Sequence, residues 1–85
     1  MTRTAVYAAI TTERARQHAL WDRNHPHGHG DCSSPDVPLM VKVAVLVEEV
    51  GEVARAALDN DDANLRAELV QVAAVAVAIL EGLDS

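Results

Sequence analysis

Three blocks of apolar residues at helical spacing, prolines confined to one stretch, and an apolar content drawn from Ala, Val and Leu predict an all-α chain of three main helices. The 85 residues are 49% hydrophobic but only 2% aromatic, with no Phe, so the core has to be made of small aliphatic side chains packed between helices. A chain of this length buries roughly 60–65% of its extended surface, which is marginal for a lone monomer. The expectation is one domain over residues 1–85, a helical bundle completed by homo-oligomerisation.

The first helix is expected from about Thr4 to Asp22. It contains no Gly or Pro, and it sets Val6, Tyr7, Ile10, Leu20 and Trp21 among Glu13, Arg14, Arg16 and Gln17. From Arg23 to Pro38 the chain carries Pro26, Pro35 and Pro38 with Gly28 and Gly30, which reads as a loop over about residues 23–37. Ser33, Ser34 and Asp36 are candidate N-caps for the helix that follows.

The second helix is expected from about Pro38 to Leu58. Its β-branched start, Val41 to Val47, has strand propensity, but Leu39, Val43, Leu46, Val50, Val53 and Ala57 keep a 4, 3, 4, 3, 4 spacing throughout. Gly51 inside it suggests close approach of another backbone or a ligand. After the turn Asp59 to Asp62, a third helix is expected from about Ala63 to Glu81, with Gly82 as its C′ residue. Leu65, Leu69, Val72, Ala76, Ile79 and Leu83 repeat the same spacing, and Val70, Ala73, Ala74 and Val77 make the reverse side apolar too. Two neighbouring helices cannot surround such an element, so the second and third helices are expected to meet another copy.

The formal net charge of −6 argues against non-specific nucleic-acid binding. One cysteine, Cys32, excludes a disulfide framework and fits a reducing, cytoplasmic setting. The N-terminus shows no apolar signal-peptide core, and the run Leu69 to Leu80 is too short to span a bilayer, so no membrane partner is expected.

Glu48, Glu49 and Glu52 fall within about one 100° sector of the second helix, nearly opposite its apolar stripe. A solvated charged face is the plain reading. Against it, Val41, Val45 and Ala56 share the sector, so something covers this side. Glu68 on the third helix also has almost no polar company besides Gln71. Carboxylates ~4 Å apart repel by roughly 4 kcal/mol per pair at an effective dielectric near 20, and a divalent cation removes that repulsion. Oxygen donors with no adjacent Cys or His favour Mg²⁺ or Mn²⁺.

Glu48-Glu49-Val50-Gly51-Glu52, fifteen residues, then Glu68-Leu69-Val70-Gln71 resembles the E-E-x-x-E … E-x-x-D signature of the MazG-like all-α nucleoside triphosphate pyrophosphohydrolases. A Gln17-x-x-x-Trp21 ending of the first helix, a loop, a glutamate-rich helix and a second metal-site helix extend the likeness over most of the chain. The resemblance implies Mg²⁺-dependent cleavage between the α- and β-phosphates of a nucleoside triphosphate, giving a monophosphate and pyrophosphate, in a homo-dimer or homo-tetramer. It implies Glu49, Glu52 and Glu68 as metal ligands and Glu48 as the water-activating base or a further ligand. Gln71 stands where the family has Asp, as a weaker or indirect ligand. Two other readings are a non-catalytic relative that binds metal or nucleotide, and a plain helical oligomerisation module.

Gln17 and Trp21, one turn apart, suit base recognition by hydrogen bonding and stacking, or else Trp21 plugs the core. Lys42 suits a phosphate contact or a solvated surface. His25, His27 and His29 suit a structural loop, a substrate contact or, least, a transition-metal site, since alternate loop residues fix no rigid ligand set.

Overall fold

A computed structural model describes residues 1–84. It is mostly helical: α1 (Arg3–Trp21), α2 (Leu39–Leu58) and α3 (Asp62–Leu83). Between α1 and α2 lies a small antiparallel hairpin, β1 (Asn24–His25) and β2 (Gly28–His29), inside the stretch read as loop. Its tightness depends on Gly28, at φ +126°, where a Cβ would stand 2.6 Å from the Asp36 carbonyl oxygen.

Local chemistry explains the ends of the helices. Thr2 caps α1 by accepting from the Ala5 amide at 3.1 Å. Asp61 caps α3 by accepting from Asn64, after Asn60 leaves α2 with φ 55°. Ser34 and Asp36 do not cap α2, which starts at Pro38 with no side-chain cap. They close the loop instead: Ser34 Oγ donates to the His29 carbonyl, and Asp36 accepts from the His29 amide. Gly82 does not end α3 either. It sits within the last turn, where a Cβ would lie 3.0 Å from the Ser33 carbonyl oxygen and 3.1 Å from Lys42 Nζ, so the missing side chain lets the loop and Lys42 approach.

α3 is the central element. It packs against both α2 and α1, which scarcely touch each other. The buried apolar residues are few and mostly small: Val37, Ala56, Ala74, Val75, Ala78 and Ile79. α2 presents Lys42, Val45, Glu49 and Ala56 inward, so the expected stripe is displaced to the rim, with Leu39, Val43 and Val50 about half exposed. The cover inferred for the glutamate side is α3. Beyond its own stretch of α2, Gly51 has no atom of the described residues within 4 Å of its would-be Cβ, so no close approach occurs there within the described chain.

The apolar run in α3 is short, but the helix as a whole has 22 residues and a mean hydropathy of 1.6 over its most apolar window, enough by length and composition to cross a membrane. It also carries Glu68 and Gln71 near its middle.

A charged network ties the loop to the helices. Asp31 is buried and bonds Arg14 of α1, while Arg14 reaches Glu81 of α3 at 3.2 and 3.3 Å. Ser33 donates to Asp31 through its amide and hydroxyl, at 2.9 and 2.6 Å. Burial alone would push the Asp31 carboxyl up, but the bonds from Ser33 and Arg14 outweigh it and hold the group below its usual range.

Candidate functional site

The separation of α1 from α2 leaves a cleft of about 500 Å³ floored by α3. Glu48 and Glu49 of α2, Gln71 of α3, and Trp21, His25 and His27 all line it. Arg16 and Gln17 line it from α1, and Asp31 and Cys32 from the loop.

The carboxylates converge as the helical spacing requires. Glu49 and Glu52, three apart on α2, face Glu68 of α3, and one oxygen from each lies within 4.8 Å of the others. Glu48 lies one position round the helix, exposed on the cleft wall. Burial first, then the charge of Glu52, raises the Glu49 carboxyl above its ordinary value. Burial and the adjoining Glu52 carboxyl raise Glu68 likewise. Three carboxylates, with no Lys or Arg seen bonded to them among the described residues, are an oxygen-donor set that suits a hard divalent cation.

Gln71 faces the same cluster. Oriented by its partners, its amide nitrogen donates to Glu49 Oε2 at 3.0 Å and Glu68 Oε2 at 3.3 Å. Each bonded carboxylate keeps its second oxygen free of this contact. Gln71 is therefore a neutral brace between two anions, which an aspartate would replace with a further negative charge. Gln71→Asp is expected to lower the melting temperature of the metal-free protein by about 5–10 °C, the loss of two charge-assisted bonds in a partly exposed setting. It should also lower the Mg²⁺-dependent turnover that the sequence resemblance implies, even at saturating Mg²⁺. Melting curves with and without Mg²⁺ and a Mg²⁺ titration of turnover check this; higher activity of the variant throughout would show Gln71 to be only a degraded ligand.

Gln17 does line the cleft, but its amide is engaged, donating to Glu13 Oε2 at 3.1 Å and to the Gln71 carbonyl at 3.4 Å. Trp21 is 41% exposed, so it does not plug the core of the protomer. The Arg23 guanidinium lies 4.9 Å from its ring centroid and His25 meets it edge-on at 5.7 Å. Lys42 is only 6% exposed, packed by Gly82 at the C-terminal end of α3, and is not among the residues lining the cleft. That position suits the negative end of the helix dipole.

Two of the loop histidines are tied into the hairpin. His25 Nε2 meets the Gly30 carbonyl at 2.7 Å while its Nδ1 accepts from the His27 amide. His29 contacts Asn24 and Asp22 through its two ring nitrogens. Burial, then the nearby Asp31 charge, pushes the Cys32 thiol up, so it contributes a neutral side chain to the wall.

Two residues of the site were not evident from the sequence as candidates: Glu13 and Arg16, which read there only as polar positions of an amphipathic helix. Glu13 adds a fourth negative charge near Glu49 and Glu68, and its own carboxyl is held low by Arg16. The available signal was the i, i+3, i+4 placement of Glu13, Arg16 and Gln17 on one helix face. In comparisons with known proteins, no family model, curated protein or solved structure matches the chain.

Proposed function

We propose that this chain is a Mg²⁺-dependent nucleoside triphosphate pyrophosphohydrolase, releasing a nucleoside monophosphate and pyrophosphate. The observation that carries the reading is the convergence of Glu49, Glu52 and Glu68 within 4.8 Å, beside a cleft of about 500 Å³ that Glu49 and Trp21 both line. The resemblance of their spacing to the MazG-like signature supplies the reaction.

Glu49, Glu52 and Glu68 would hold Mg²⁺, with Mn²⁺ as a substitute. When bound, the ion supplies positive charge for phosphate oxygens and for an attacking water. Glu48, exposed on the cleft wall, would accept the proton of that water. Gln71 keeps Glu49 and Glu68 at bonding distance from one amide. Trp21 offers its ring to the base, and Gln17, its amide nitrogen held by Glu13 and the Gln71 carbonyl, would meet the base through its amide oxygen.

The exposed apolar face of α2 supports a homo-dimer or homo-tetramer. The apolarity of α3 is then that of the central helix of an assembly, with Glu68 and Gln71 turned to the cluster, and a cytoplasmic setting goes with the proposed nucleotide substrate.

Incubation with each ribo- and deoxyribonucleoside triphosphate, with and without Mg²⁺, tests the reading. Pyrophosphate and monophosphate, not orthophosphate and diphosphate, are the expected products. Metal or nucleotide binding without turnover would instead indicate a non-catalytic binding subunit, and silence in both assays a helical oligomerisation module.

A further inference from the structure

A triphosphate entering this cleft meets Glu48 and Glu49, and the only Lys or Arg among the lining residues is Arg16. Arg16 is bonded to Glu13 through both arms, Nε to Oε1 and Nη2 to Oε2, each at 2.7 Å. The pair is asymmetric: the Arg16 side chain is 56% exposed and that of Glu13 only 13%. An i, i+3 pair with one partner open to water is a weak restraint. Glu13 has a second donor, Gln17, so its carboxylate keeps a hydrogen bond if Arg16 leaves. Arg16 also lies close enough to Glu49 for their charges to interact.

We propose that Arg16 is the phosphate-binding cation of the cleft, parked on Glu13 in the free protein and handed to the triphosphate arm of the substrate on binding. The inference rests on the proposed nucleotide reading and names the side chain that meets the phosphates. A planar guanidinium grips a phosphate in the same bidentate manner in which it grips Glu13, so the exchange replaces one pair of bonds with another. Glu13 thereby competes with the substrate. It sets a threshold that a multiply charged phosphate chain exceeds more readily than a monophosphate.

The test is calorimetric binding of inorganic triphosphate in the presence of Mg²⁺, a probe with no base and no scissile nucleoside bond. Arg16→Gln is expected to weaken binding about tenfold or more, and Arg16→Lys less, since the charge stays and the fork is lost. Glu13→Gln breaks the same pair yet is expected to tighten binding by about threefold, because it frees the guanidinium and removes a negative charge. Opposite signs from the two halves of one ion pair are the signature. Unchanged affinity in both variants, or weakening in both, overturns the proposal and leaves a structural salt bridge. Circular dichroism confirms that each variant keeps its helices. Stabilisation of Arg16→Gln by Mg²⁺ alone, which needs only the glutamate cluster, separates the inferences: if it persists while triphosphate affinity is unaltered, Arg16 alone is misassigned. A wild-type protein that responds to neither Mg²⁺ nor triphosphate overturns both.

Discussion

Glu52→Gln and Glu68→Gln should each cut turnover by about 100-fold or more, while making the metal-free protein harder to melt. The two effects share one cause. Glu49, Glu52 and Glu68 stand within 4.8 Å with Glu13 nearby, so the folded chain confines negative charge that the unfolded chain disperses. Replacing one carboxylate with an amide relieves that repulsion and removes a charged donor from the proposed metal site. A residue on a merely solvated face would change neither property. Full activity in both variants would place the site elsewhere.

The same confinement gives a pH dependence of definite sign. Glu49 and Glu68 hold protons more readily in the fold than in the unfolded chain. Their favourable contribution is complete below the ordinary glutamate value of 4.5 and is lost as pH rises through their raised values. Asp31 and Glu13 act oppositely: their contributions are present above their ordinary values and are lost as pH falls through the lowered ones. The metal-free protein should therefore be most heat-stable in weakly acidic solution. If Mg²⁺ occupies the cluster as proposed, it would compete with protons there, and its stabilising effect should grow as pH rises through the raised glutamate values and then level off. Melting curves in chelator and in Mg²⁺ across this range check both trends. A Mg²⁺ effect that is independent of pH would detach the ion from these carboxylates.

The helices were legible because 3.6-residue periodicity and the proline-rich break are local signals. The observed spans differ from the expected ones by a residue or two at most of their ends. The convergence of Glu49, Glu52 and Glu68 was also legible, since spacing on two neighbouring helices fixes which side chains share a face. What the sequence obscured depends on tertiary placement. Lys42 lies only six residues before Glu48, yet it is drawn to the C-terminal end of α3, away from the cleft lining. Ser34 and Asp36 have cap chemistry but meet the hairpin before they meet α2. Arg16 and Glu13 belong to the first helix, and only the packing of α1 on α3 brings them to glutamates more than thirty residues away.

If the proposed homo-oligomer forms through α2, Val47→Glu should dissociate it, and in doing so cost more stability than any single change at the glutamate cluster. Met40, Val43, Val47, Val50, Ala54 and Leu58 form one face of α2 at spacings of three and four, with no charged residue among them. Met40 and Leu58 are 78% and 80% exposed and Val47 is 63% exposed. The protomer has 5695 Å² of accessible surface, whereas a folded monomer of 9.1 kDa is expected to have ~4,900 Å². The surplus of about 800 Å² matches what one partner contributes to a standard protein interface. A second copy related by a two-fold axis would cover the stripe with its own, so a carboxylate at Val47 would enter the interface twice and without a partner. Val47 points away from the side of α2 that carries Glu49, so the substitution leaves the cluster itself untouched. Light scattering at micromolar concentration should give a multiple of 9.1 kDa for the wild type and for Val47→Leu. Val47→Glu should give the monomer mass or unfolded chain. A wild-type mass of 9.1 kDa, or an intact assembly in Val47→Glu, would remove this face from the interface.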